Sequence, residues 1–309
     1  MSNDLVWGSG PATFGTAGQG PSNVLVYHAL TGTLLKTFDA KGENLAQEHA
    51  NSSIAVDKLL RAYVLNTQLG VYRLSLAGQQ EQYSTPFPDL KPCAAVPANT
   101  ACSPTPFDAP ALPNDLAFDA TGNLYVTDSL QATIWRVPPG GGVPQVWFQD
   151  ARLASASFGP NGLGLDPART KVYFTVTADL ANRAYVYTLP LVAKPAAASL
   201  TVFHEYTNGD LPDGIAFGQF GRLYVAIATP FASGISILAP NGSQFLRLGN
   251  QGNPIFPYDS PANLAFDGKG SVLVTNHAFV TGVDNPGQFT VLDVWVADTG
   301  NPLEKPLVP

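Results

Sequence analysis

The chain has 309 residues, of which 45% are hydrophobic and only 13% charged, with a formal net charge of −7 and 29 Gly beside 27 Pro. Its 16 Lys and Arg form no cluster, so it offers no phosphate-neutralising surface, and nucleic-acid binding is excluded. No apolar run is long enough for a transmembrane helix, and ample apolar mass with so much Gly and Pro favours short strands joined by tight turns.

In chain order, DLVWGS near residue 5 alternates like a strand, and SNVLVYHALTGTLLKTF (Ser22 to Phe38) reads as two more. SSIAVDKLLRAYVLNTQLGVYRLSL (Ser52 to Leu76) then introduces a unit that returns downstream. Its clearest copy has strands at Leu116–Phe118, Leu124–Thr127, Thr133–Val137 and Val143–Phe148, with a turn at Asp119–Asn123. Equivalent heads fall at Asn114, Asn161, Asp213 and Asn263, in steps of 47, 52 and 50 residues. The step from Ser52 to Asn114 is 62, because an insertion at about 86–110 intervenes. A repeat of this length with four short strands is a propeller blade, which cannot bury both faces alone. The expected fold is all-β: one domain over 1–309, six four-stranded antiparallel blades around a central channel. The first blade's inner strand comes either from DLVWGS or from the carboxy terminus. Only DARLASASF (150–158) and LPLVAKPAAAS (189–199) hint at helix, and Pro195 interrupts the second.

The first strand of each propeller blade lines the channel, so the residues before it converge on one axis. Aligned there are Ser52, Asn114, Asn161, Asp213 and Ala262, with Asn263 one place on. Two readings stand. Asn and Asp before a strand are ordinary turn formers, while oxygen donors in register suit a hard divalent cation.

The pieces PNDLAFDATGNLYVTD, PNGLGLD and PDGIAFG resemble those of the SMP-30/gluconolactonase-like (luciferin-regenerating-enzyme-like) six-bladed propellers, over blades two to six. The resemblance implies a divalent cation, Ca²⁺ first among candidates, held by Asn114, Asn161 and Asp213, with Asp213 also the general base and the metal polarising a lactone carbonyl. The family's first-blade Glu has no counterpart here: GSGPATFG (Gly8 to Gly15) offers a Ser, and Glu43 and Glu48 lie in a loop. Such a ligand set carries one negative charge, which implies weak cation affinity.

At the ends of the second strands stand Asp128 and His277, candidates for contact with a small-molecule substrate, as are Asn263 and the loop aromatics Tyr258 and Phe231. The structural alternatives are a turn aspartate, a rim histidine and loop packing. Three functions compete: a metal-assisted lactone or ester hydrolase; a metal-free enzyme of specialised metabolism, such as a hetero-Diels–Alder cyclase working by orientation; and a non-enzymatic binding propeller. A bond between Cys93 and Cys102 would brace the insertion. With sequons at Asn51 and Asn241 it points to the secretory pathway, in which case a leader has been removed.

Overall fold

A computed structural model describes residues 4–10, 15–250, 252–253, 255–282 and 284–309. Six antiparallel sheets, each built from consecutive strands, form a six-bladed β-propeller. Blade 1 comprises β1 (Leu5–Gly10), β2 (Asn23–His28) and β3 (Leu34–Asp39), and blade 2 comprises β4 (Asn51–Val56), β5 (Ala62–Asn66), β6 (Gly70–Leu74) and β7 (Gln80–Gln82). Blade 3 is β8 (Pro113–Phe118), β9 (Leu124–Asp128), β10 (Thr133–Val137) and β11 (Gln145–Gln149). Blade 4 is β12 (Pro160–Leu165), β13 (Lys171–Val176), β14 (Ala184–Pro190) and β15 (Thr201–Tyr206). Blade 5 is β16 (Pro212–Phe217), β17 (Leu223–Ile227), β18 (Gly234–Leu238) and β19 (Gln244–Gly249), and blade 6 is β20 (Pro261–Phe266), β21 (Ser271–Asn276) and β22 (Thr290–Trp295).

DLVWGS supplies the first blade's inner strand; the carboxy terminus lends none. Blades 1 and 6 have three strands each among the described residues, rather than four. β11 starts only after Pro144, which has no N–H for the ladder. The two helical hints shrink to single 3₁₀ turns at Ala151–Leu153 and Ala197–Ser199.

The second strands are apolar along most of their length because neighbouring blades cover both faces. In β9, Leu124 and Val126 join Tyr63, Leu65 and Val71 of blade 2 in one core, while Tyr125 joins Leu163, Val172 and Phe174 of blade 4 in the next. A tyrosine edge packs on a phenylalanine of the following blade at three seams: Tyr63 on Phe118 at 4.9 Å, Tyr173 on Phe217 at 5.0 Å and Tyr224 on Phe266 at 4.9 Å.

The inner strands of blades 6 and 1 meet less closely than those at the other five seams. Lys269 of blade 6 pairs with Asp4 beside β1 at 3.4 Å across that seam, and the segment after β22 runs along the rim opposite the blade heads. Asn301 donates its N–H to Phe217 O at 2.7 Å, and Arg169 pairs with Glu304 at 2.5 Å. Lys58 donates its N–H to Pro306 O at 3.1 Å, and Val308, 2% exposed, enters the core of blades 2 and 3. One strap thus joins blades 6, 5, 4, 3 and 2.

The strap also repairs a turn. In blades 2 and 3 an aspartate closes the first hairpin: Asp57 accepts from the N–H groups of Leu59 and Arg61 and from Tyr63 Oη, and Asp119 accepts from Thr121, Asn123 and Tyr125 Oη. Blade 5 has Gly218 at this position. Asp298 of the strap takes over, accepting from Gln219 N at 2.9 Å and Tyr224 Oη at 3.2 Å. A Cβ on Gly218 would collide with the Asp298 carboxylate.

Cys93 and Cys102 are bonded. Their loop packs on the blade-head rim, where Ser103 Oγ donates to Gln131 O at 2.6 Å and Leu90 N to Gln131 Oε1 at 3.0 Å. Of the two sequons, Asn51 is 0% exposed: its amide donates to Asn23 O at 3.2 Å and accepts from Asn66 Nδ2 at 2.9 Å. It cannot carry a glycan in the folded protein, which corrects the expectation from sequence. Asn241 lies exposed in the turn before β19. Expression in a glycosylating host should yield modification at Asn241 and none at Asn51 by peptide mass spectrometry; an occupied Asn51 would contradict this fold.

Candidate functional site at the channel mouth

In blades 3 to 6 the first strand slips register at its head. Pro113 pairs with Asp128 but Leu116 with Val126, so Asn114 and Asp115 together oppose Thr127. The same irregularity recurs at Pro160/Leu163, Pro212/Ile215 and Pro261/Leu264. Such a bulge leaves two residues outside the ladder and re-aims their side chains. The sequence column Asn114, Asn161 and Asp213 occupies the first bulge position of three successive blades.

Hydroxyls at the ends of the second strands fix the two Asn amides. Asn114 Nδ2 donates to Ser129 Oγ at 3.0 Å, and that hydroxyl donates to Pro160 O of the next blade at 2.7 Å. Asn161 Nδ2 donates to Thr177 Oγ1 at 2.9 Å, which donates to Pro212 O at 2.7 Å. With each NH₂ group engaged, the carbonyl oxygens are left over. Asn161 is 3% exposed, and its Oδ1 has no partner among the described residues. A buried acceptor without a donor costs roughly 1–3 kcal/mol.

Asp213 is half-buried and its carboxyl is pushed well above the usual carboxylate range. Burial is the main cause, the Asp115 carboxylate the second, and only the Gly214 N–H favours the charged form. Asp115 is the residue that sequence reasoning missed. It is 5% exposed and accepts from Ser53 Oγ at 2.6 Å, Leu163 N at 2.8 Å, Leu116 N at 2.9 Å and Asn263 Nδ2 at 3.4 Å. Burial raises its pKa despite these donors. The signal was present: at the second bulge position blades 4 and 5 carry Gly162 and Gly214, and blade 3 alone of the three carries a carboxylate. Those glycines are required. A Cβ at Gly162 would strike Asp213 O, and one at Gly214 would strike Asn263. The channel is thus tight below the heads, bridged by Asp115 and Asn263.

Of the other sequence candidates, Asn263 stays at the channel and the rest disperse. Asn263 is engaged with Asp115 and, through Oδ1, with Leu264 N at 2.8 Å. Asp128 is 0% exposed and accepts from Leu112, Leu130 and Gln131 N–H groups and from Trp135 Nε1 at 3.0 Å. Its carboxylate is fully used in holding the rim loop. Tyr258, 5% exposed, belongs to the core between blades 5 and 6. Neither presents a surface to a substrate. His277 packs on Phe279 with ring centroids 4.0 Å apart and the planes tilted by 41°, its Nε2 buried and unpartnered among the described residues; burial lowers its pKa to about 4. Phe231 stands 62% exposed on the wall of a rim cavity. Two such cavities, of about 420 and 350 Å³, flank the loop before β20, and neither includes a blade-head residue.

No group of three or more His, Cys, Asp or Glu suited to a metal occurs among the described residues. The oxygen set of Asn114, Asn161 and Asp213 does fit a hard cation, since the orphaned Asn161 Oδ1 lacks the positive partner a cation would supply. When bound, such an ion neutralises charge at Asp213.

Residues 98–278 match the model of the SMP-30/gluconolactonase/LRE-like region. A gluconolactonase of Zymomonas mobilis is 31% identical over 176 residues, covering 52% of this chain and 46% of that protein, so the chain matches under half of that relative's length. Among solved structures, a calcium-binding regucalcin from Agrobacterium tumefaciens superposes with a TM-score of 0.64 at 16% identity, covering 91% of this chain and 86% of the other. A gluconolactonase from Xanthomonas campestris gives 0.55 at 18% identity, with 83% and 76% covered. With the family region spanning more than half the sequence and the blade heads inside it, the chain belongs to the SMP-30/gluconolactonase/LRE-like family.

Proposed function

We propose that the protein hydrolyses a small lactone or ester at the channel mouth, with a divalent cation held by Asn114, Asn161 and Asp213. The observation that carries this reading is the buried, donorless Oδ1 of Asn161 in register with the high-pKa carboxyl of Asp213. The family's gluconolactonase members support it. The missing first-blade Glu leaves one carboxylate among the three ligands, but Asp115 adds a second negative charge close enough to perturb Asp213.

A bound divalent cation would supply Lewis-acid polarisation of the substrate carbonyl. The chain's own residues do the rest. Asp213, ionised, takes a proton from the attacking water as its oxygen bonds to the carbonyl carbon. The same carboxyl returns that proton to the departing alkoxide as the ring C–O bond breaks, giving a hydroxy acid. A cation held beside it would favour the ionised form that this proton transfer requires. Ser129 and Thr177 hold the two Asn amides in one orientation, which fixes their carbonyl oxygens in advance.

Elemental analysis after EDTA and then Ca²⁺ dialysis should give near-stoichiometric calcium. Saturating Ca²⁺ should raise the melting temperature, by about 2.7 kcal/mol of stability at one hundred times Kd. Asp213→Ala should lose both effects along with turnover. No retained ion, and lactone hydrolysis indifferent to EDTA, would overturn the cation assignment. The metal-free cyclase is the second reading, favoured by the phenylalanine-walled rim cavities. It requires EDTA-insensitive chemistry on an apolar substrate and no lactone turnover.

A further inference from the structure

We infer that His49 is a buried imidazolium cation that clamps segment 15–20 of blade 1 to the head of blade 2, and that the clamp opens when the ring loses a proton. The inference goes beyond the lactonase reading and is independent of it. The ring is 1% exposed, and both of its nitrogens lie against backbone carbonyls, Nδ1 at 2.8 Å from Gln47 O and Nε2 at 2.9 Å from Gly20 O. A carbonyl oxygen only accepts, whereas a neutral imidazole has one N–H and one bare nitrogen. Either neutral tautomer would therefore aim a lone pair at an oxygen. Only the doubly protonated ring donates to both. Among the described residues no other histidine is held this way: His204 meets one carbonyl, through Nδ1, and His28 one hydroxyl.

The surroundings suit that charge. The charges acting on the ring are the carboxylates of Glu43 and Glu48, both in the connection from β3 to β4. Segment 15–20 brings no charged residue, and the blade 2 residues bonded to this connection, Asn66, Thr67 and Gln68, are neutral. The Gln47 and Gly20 carbonyls raise the pKa above the ordinary histidine value; burial opposes them and the two carboxylates assist. Glu48 binds the same segment, accepting from Gly15 N at 2.9 Å and Thr16 N at 3.0 Å, while Thr16 Oγ1 accepts from His49 N at 2.9 Å. Two residues beyond His49, Asn51 opens β4, whose Ser53 hydroxyl donates to Asp115. The clamp therefore bears on the strand that steadies a channel carboxylate. With the folded pKa raised, the stabilisation from His49 is full below the ordinary histidine value and is lost as pH rises through the folded one. Deprotonation leaves one carbonyl facing a bare nitrogen, and the Gly20 contact is the one that joins the two blades.

Two measurements on the full chain test this. With isotope-labelled histidine, long-range proton–nitrogen NMR at pH 7 should show both His49 nitrogens protonated. One bare ring nitrogen would overturn the inference. Hydrogen exchange read by mass spectrometry, corrected for the intrinsic pH dependence of exchange, should show protection in segment 15–20 falling about tenfold as pH passes the His49 midpoint. In His49→Gln, which has no titrating ring, protection there should be lower and flat over the same range. Protection that stays constant through the His49 titration, or a pH response that survives in the variant, would overturn the clamp. So would a loss spread evenly over every blade head, which would assign the response to Asp115 and Asp213. The wild-type titration and exchange decide the matter even if the variant folds poorly.

Discussion

Asp298→Gly is expected to destabilise the protein by about 2–3 kcal/mol, and adding Gly218→Asp should recover most of the loss. Asp298 satisfies Gln219 N–H and the buried Tyr224 hydroxyl, and stranding such donors costs roughly 1–3 kcal/mol. Gly218→Asp alone should also destabilise, because its side chain collides with the carboxylate already there. Together the pair recreates the hairpin closure that Asp119 gives blade 3. The sign of the coupling is therefore opposite to either single change, as residues in direct contact allow. Denaturant titration of the four proteins measures it. Additive losses would show that Asp298 acts through the strap as a whole rather than through this turn. Val308→Asp, which forces a charge into the core of blades 2 and 3, should cost at least about 3 kcal/mol.

The second large effect concerns Asp213. Asp213→Asn should lower hydrolysis by about 10²–10⁴-fold while stabilising the metal-free protein at neutral pH. The folded pKa of Asp213 is raised, so the folded state holds the proton more tightly than the unfolded chain. Stability from this group is therefore full below the ordinary carboxylate range and is lost as pH rises from there through the folded pKa. Asn carries no such penalty. Denaturation of metal-free wild type and variant at acid and neutral pH should show the variant's advantage growing with pH. Asp115 is shifted in the same direction and is coupled to Asp213, so the difference reports the loss of the Asp213 charge together with the relief it gives Asp115. A variant that keeps turnover would remove Asp213 from the reaction, and one with no pH-dependent advantage in stability would show that the folded state does not hold the Asp213 proton.

Much of the site was written locally. The period-2 strands, the Gly turns and the steps of about 50 residues specify blades, because a strand's pattern depends on which faces are covered. The column Asn114, Asn161, Asp213 follows from that alignment alone. Asp128 shows the opposite case: its place at a strand end suggested a pocket, but its carboxylate is consumed by three backbone donors and Trp135. Nothing local distinguishes an aspartate that binds a loop from one that faces a ligand. Asn51 fits a glycan sequon and is buried against Asn23 and Asn66, partners 28 and 15 residues away.

By itself, then, the sequence determined the fold, the blade count, the family and the three head residues, all of which repeat or pair over short distances. Only the tertiary structure decided that Asp115 of blade 3 reaches Ser53, Leu163 and Asn263 on three other blades. The same holds for Asp298, which fills the place that Gly218 leaves empty 80 residues earlier. The physical reason is common to both: a buried carboxylate must find its donors wherever the ring brings them, and that juxtaposition leaves no periodic trace along the chain.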